Sequence, residues 1–170
     1  MHRTLTITCL LLLIAHSTAT AQDRVYWTST RISTEVGGFS RFYPGKKIQR
    51  SGLDGGQVED LIIGLTYPTA GLALDTEAGK MYWIDAFARR ILRADLDGAD
   101  VEELVIGIGG GSPVPSTGGH MALDIAGGKM YWTNHIARKI QRSNLDGSVV
   151  EDLVQVVDLT DTFRSIVLDV

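Results

Sequence analysis

Apolar residues in this chain fall in short runs broken by Gly, Asp and Ser, and no run has the i, i+3, i+4 spacing of an amphipathic helix. Leu72–Asp75 is one such run, and it enters a tight turn at Ala78-Gly79. Met81–Ile84 comes next, rich in aromatic and branched side chains and apolar on both faces. Such a run predicts a strand covered on both sides. A third run ends at Asp97-Gly98, a pair that supplies positive φ without strain and predicts a two-residue hairpin. Val101–Val105 is the fourth. Antiparallel strands joined by short turns make the expected fold all-β.

The same pattern is written three times. Gly71–Asp75 recurs as His120–Asp124 and again as Ser165–Asp169. Lys80-Met81-Tyr82-Trp83-Ile84-Asp85 recurs as Lys129-Met130-Tyr131-Trp132-Thr133-Asn134, with Arg24-Val25-Tyr26-Trp27-Thr28-Ser29 as the first copy. Ile48-Gln49-Arg50, Ile91-Leu92-Arg93 and Ile140-Gln141-Arg142 each lead into a Leu-Asp-Gly turn, at Leu53, Leu96 and Leu145. Those leucines are 43 and 49 residues apart. Four antiparallel strands at this period describe the blade of a β-propeller, in which sheets are repeated around a ring. The units span about 22–64, 70–106 and 119–157, with a final strand at 165–170.

The chain opens differently. His2 and Arg3 precede an apolar run from Leu5 to Ala15, and small residues end at Ala19-Thr20-Ala21. This is the layout of a cleaved signal peptide over residues 1–21, and it places the mature protein outside the cytoplasm, secreted or periplasmic. The apolar run is shorter than the ~20 residues a membrane-spanning helix needs. Cys9, the one cysteine, lies inside the leader. An exported domain over 22–170 therefore has no disulfide and depends on core burial and strand pairing.

Tyr-Trp-Thr/Ile-Asp/Asn, then a basic pair, Ile-x-Arg and Leu-Asp-Gly, resembles the YWTD repeat, the low-density-lipoprotein-receptor class B repeat. That resemblance implies a six-bladed propeller, and it implies protein ligands on one face. Ser29 and Asn134 depart from the motif aspartate that Asp85 keeps, and there are three units where the family has six. The chain starts on a second strand and ends on a first strand, which gives three blades' worth of strands, half of a six-bladed ring. Two chains could close the ring as a homodimer, each C-terminal strand completing the other's first blade. The alternative is a gene fragment of a longer propeller with no function of its own.

Strand order puts the loops between strands 2 and 3, and those from strand 4 to the next blade, on one face. Both long insertions fall there, at 30–44 and 107–119. Elaborated loops on one side of a regular scaffold mark a binding face, and aromatic and Arg side chains are the types that anchor interfaces. The candidates are Arg31, Phe39, Arg41, Phe42, Tyr43, Phe87 and His135, with Tyr67 and Phe163 beside them. Tyr26, Trp27, Tyr82, Trp83, Tyr131 and Trp132 are expected as repeat core, filling the wedges between blades. The basic pairs Lys46-Lys47, Arg89-Arg90 and Arg138-Lys139 are expected to meet carboxylates on the neighbouring strand.

Chemistry beyond binding finds little support. Asp75, Asp124 and Asp169 end the inner strands and could line a central channel with a divalent cation, as a lactonase-type hydrolase would need. Their identity in every unit instead suits carboxylates that cap their own turns. Gly109-Gly110-Gly111 is followed by Pro113 and Pro115, so no helix can present a phosphate site there. No catalytic base, cofactor or metal site is expected. A net charge of −4 argues against nucleic acid as a partner. The expected protein is an exported, non-enzymatic propeller segment that binds a protein or another macromolecule through its loop face.

Overall fold

The structure is a computed structural model and describes residues 23–29, 46–65, 71–85, 88–108, 119–157, 163 and 165–170. Among these residues every regular element is a strand. β1 (Arg24–Ser29), β2 (Lys46–Gly52) and β3 (Glu59–Leu65) form a three-stranded sheet. β4 (Ala73–Asp75), β5 (Lys80–Asp85), β6 (Arg90–Asp95) and β7 (Glu102–Ile106) form a four-stranded sheet. β8 (Met121–Asp124), β9 (Lys129–Asn134), β10 (Lys139–Asn144) and β11 (Glu151–Gln155) form another. Each sheet is an antiparallel meander, and the three are successive blades of a partial propeller.

The apolar-on-both-faces run at β5 explains why the blades stack. Met81 and Trp83 join Ile48, Leu65, Leu92 and Ala94 in a core between the first and second blades. Tyr82 and Ile84, on the other face of the strand, join Ile91, Val105, Met121, Met130 and Trp132 in a core between the second and third. Neither core lies within a single sheet. A blade is therefore stable only as one of a stack, its strand 2 sealed from both sides.

Polar pairs tie the outer strands of each blade. Lys47 Nζ and Lys139 Nζ each lie 2.5 Å from the carboxylates of Asp60 and Asp152, and Arg90 pairs with Glu103 at the equivalent place. Arg50–Glu59, Arg93–Glu102 and Arg142–Glu151 repeat a second pairing at 2.7, 2.7 and 2.6 Å. The second residue of each basic pair is thus bound to a neighbouring strand. Individually such exposed pairs add little to stability, because solvent screens them. Their effect is on register, along with a β-bulge that follows the strand-3 isoleucine in every unit, after Ile48, Ile91 and Ile140.

Three expectations need correction. The hairpin at Asp97-Gly98 is not a two-residue turn: six residues separate β6 from β7. Only Gly98 of the pair has positive φ, whereas a two-residue type I′ turn needs both. Gly98 N–H instead donates to Asp95 O, and Ala99 N–H to the Asp97 carboxylate. Ser165–Val170, expected as the strand completing the first blade, pairs with none of the three sheets. A lone strand has no partner for its backbone groups and does not persist. Trp27 is only half-buried, while Trp83 and Trp132 are fully buried. The two buried indoles pack against a preceding blade, and none precedes Trp27 among the described residues.

We expect Trp83→Ala to cost roughly 3–5 kcal/mol in urea-unfolding experiments, as large aromatic deletions from cores do. Trp27→Ala should cost less than half as much. Equal losses would mean that both indoles are equally enclosed.

Candidate functional site

The loop face is positioned by the ends of strand 2. In the second blade Asp85 closes β5, and its carboxylate accepts the Ala88 N–H at 2.9 Å. In the third blade Asn134 closes β9, and its carbonyl oxygen accepts the Ala137 N–H at 3.0 Å. Asn can make the same capping bond as Asp, so the departure at Asn134 leaves this turn intact. The Asn134 amide also donates to Gln141 Oε1 at 2.9 Å, holding the loop to β10. Before strand 3 each loop passes through a non-glycine residue in the left-handed region, Arg89 at φ 56° and Arg138 at φ 55°. The carbonyls of these two residues accept the N–H groups of Ile108 and Val156, locking the loop to the end of strand 4.

Between the second and third blades this face carries a cleft lined by Ile84, Ile108, Gly119, Thr133 and His135. It is about 20 Å³, space for about one water molecule and far below the size of a substrate pocket. Gly119 is what lets the cleft wall close: a Cβ there would lie 2.8 Å from Ile84 Cδ1 and 3.0 Å from Thr133 O. Thr133 N–H donates to His120 O at 3.0 Å, and the Thr133 hydroxyl accepts the His120 N–H at 2.9 Å.

His135 is the candidate that the described residues place in a cluster. Its ring meets Phe163 edge to face with centroids 5.7 Å apart, and lies 6.3 Å from the His120 ring. Its Nε2 is buried and has no hydrogen-bond partner among the described residues. Burial, then the nearby charge of His120, hold the His135 pKa below the ordinary histidine value. His120 and the cleft-lining Ile108 were not singled out for this face in the sequence. Their inclusion follows from adjacency across two blades. Arg31, Phe39, Arg41, Phe42, Tyr43, Tyr67 and Phe87 lie outside the described residues.

The inner-strand aspartates have other partners. Asp75 is buried and accepts the Ala78 N–H at 2.9 Å, and Asp124 accepts the Gly127 N–H at 2.7 Å. Both carboxylates cap their own turns, on the face opposite the cleft. No group of three or more potential metal ligands occurs among the described residues. No helix there is long and apolar enough to cross a membrane.

The His135 environment has a measurable consequence. In an NMR pH titration the His135 imidazole should titrate below 6.5, the ordinary value. Folding favours its neutral form, so this contribution to stability is complete above pH 6.5 and declines as pH falls through that value toward the folded pKa. Replacement by Phe should remove the decline. A His135 that titrates at or above the ordinary value would mean that its ring is solvated.

Comparison with known proteins follows the same geometry. Residues 128–169 match the profile of the low-density lipoprotein receptor repeat class B. The match starts just before β9 and ends in the Ser165–Val170 segment, the same phase in which this chain is written. No curated protein matches the sequence. A crystal structure of a nidogen/laminin complex is similar over 65% of this chain and 40% of the other, with 26% identity and a TM-score of 0.56. A luciferin-regenerating enzyme is similar over 79% and 43%, with 17% identity and a TM-score of 0.59. A putative TolB from Agrobacterium tumefaciens is similar over 63% and 40%, with 18% identity and a TM-score of 0.50. The last two likenesses concern the fold alone, and this chain spans 40–43% of the length of the three solved chains. Residues 128–169 thus carry a low-density lipoprotein receptor class B (YWTD) repeat, and the three sheets are blades of a partial β-propeller.

Proposed function

We propose that this protein is an exported, non-enzymatic propeller segment that binds a protein partner through its loop face. The observation that carries this reading is the asymmetry between the two faces. One face has regular turns: those from strand 1 to strand 2 are capped by Asp75 and Asp124, and the six-residue turns from strand 3 to strand 4 by Asp54, Asp97 and Asp146. The other receives both long insertions and the His120–His135–Phe163 cluster. Long loops with aromatic, Arg and His side chains on a rigid scaffold suit recognition of another surface.

The size of the cleft supports surface recognition over turnover. Space for about one water molecule beside His135 does not admit a metabolite. The carboxylates that a lactonase-type metal site would use are engaged with backbone N–H groups. A protein partner is also in keeping with the likeness to a chain from a nidogen/laminin complex. The leader over residues 1–21 would deliver the domain to a compartment where such partners are found.

The test is retention of extracellular proteins on the immobilised full chain, with laminin included as one defined probe. We expect a protein retained by the wild type to be retained by Glu77→Lys, which alters the short-turn face. It should be lost with Arg41→Ala or Phe42→Ala, and neither substitution should lower the unfolding midpoint appreciably. Retention indifferent to both loop substitutions, or abolished by Glu77→Lys, would contradict the assignment of the face.

A further inference from the structure

The basic pair that opens strand 3 divides its two cations between different tasks. The second member, Lys47, Arg90 or Lys139, is held by a carboxylate on strand 4 of its own blade. The first member is Lys46, Arg89 or Arg138, and it stands where the chain leaves the strand 2–3 loop, on the loop face. In the second and third blades this cation projects from anchored backbone, because the Arg89 and Arg138 carbonyls accept the Ile108 and Val156 N–H groups at 3.0 and 2.9 Å. Asp85, which ends β5 on the same face, is buried and already accepts the Ala88 N–H, with Arg90 3.6 Å away.

Carboxylates collect on the opposite face. Asp54, Asp97, Asp100 and Asp146 are exposed in the strand 3–4 turns, and Glu77 is exposed in a strand 1–2 turn. The cations at that end, Arg24, Lys80 and Lys129, open strand 2, and the first two already meet Glu59 and Asp95. The turns are left with an acidic excess. The insertions do not reverse this division: Arg31 and Arg41 stand against Glu35 in 30–44, Asp158 and Asp161 against Arg164 beyond β11, and 107–119 carries no charge. Together those segments add no net charge. Strands of six residues hold the two faces about 20 Å apart, beyond the ~8 Å over which charge is felt at physiological salt. The acid on the turn face therefore leaves the loop face cationic, although the chain as a whole carries −4.

We propose that the loop face recognises an acidic protein surface. Arg89 and Arg138 meet its carboxylates, flanking a centre formed by His135, Phe163 and the cleft residues Ile108 and Ile136. The inference rests on the reading of this face as the binding face, and adds the chemistry of the partner. Arginine suits the task because its planar fork can hold a carboxylate through two parallel bonds. Cations around an aromatic and apolar centre are the arrangement of a protein interface, with charge at its rim. A sulfated polysaccharide fits this surface less well. The cations are separated by a blade instead of forming a continuous run, and a long polyanion would also cross the acidic turns.

Fluorescence anisotropy of the full chain with a labelled octaglutamate peptide tests this, with octalysine and a heparin fragment as further probes. Octaglutamate should bind at low ionic strength and be released as salt rises. Arg89→Glu and Arg138→Glu should each weaken it by about fivefold or more, and Glu77→Lys should change it by less than about twofold. The unfolding midpoints should stay close to wild type; should Arg89→Glu lower its own, Arg138→Glu decides. Octalysine should show the reverse dependence, weakened by Glu77→Lys and indifferent to Arg138→Glu. No salt-dependent binding of octaglutamate overturns the proposal, as does binding indifferent to the arginine reversals. Tighter, Arg138-dependent binding of the heparin fragment also overturns it, by giving the face to a polysaccharide. An extracellular protein retained through Arg41 and Phe42 yet indifferent to both arginine reversals would leave the binding face standing and remove the acidic partner. Arg138-dependent binding of octaglutamate with no protein retained would do the opposite.

Discussion

The structure depends on one constraint: the second strand of each blade is apolar on both faces, so no blade can stand alone. Trp83 faces one neighbour and Tyr82 the other, and each cluster of buried side chains sits between sheets. This makes the blade a unit of stacking, and the stack has two ends wherever a neighbour is lacking. The half-buried Trp27 and the fully buried Trp83 and Trp132 are the same side chain in those two situations.

Polar parts of the repeat follow from the same packing. Close approach of two blades leaves turn carbonyls facing the neighbouring sheet, where they must find donors. Arg50 and Arg93 supply them, each also held by a glutamate on its own blade. Arg93 lies 5.8 Å over the Tyr82 ring, so the cation is placed by an aromatic face as well as by a carboxylate. Glu102 and Glu151 are held below the usual carboxylate range chiefly by their arginine partners. The glycines at 98 and 147 permit the contact by removing the one side chain that would collide with the outer strand.

Much of this was legible in the sequence because the fold is written three times. Periodicity located the eleven strands of the three sheets, though not the failure of the twelfth at Ser165–Val170, and the basic and acidic pairs fell opposite one another as spacing suggested. What could not be read came from contacts between units. That Leu96 presents its carbonyl to Arg50 depends on how two sheets pack, and no residue-level pattern reports it. The turn at Asp97-Gly98 reads as a tight hairpin locally, yet it is a six-residue loop closed by Gly98 N–H to Asp95 O, and the Asp54-Gly55 turn of the first blade repeats it. Ser165–Val170 has strand propensity but pairs with no sheet edge, so its sequence alone misleads. On the candidate face, His135 was readable as a loop residue, while its companionship with Phe163 and His120 is tertiary.

Binding through the loop face would need a rigid scaffold beneath it, and that rigidity requires the joint between blades to be real. A double-mutant cycle between Ile91→Ala and Trp132→Ala addresses this most directly, since the two residues lie on different blades within one core. The account predicts that their unfolding free energies are non-additive, with a coupling of about 0.5 kcal/mol or more. Additive losses would contradict it, because they would mean that the blades do not share a core.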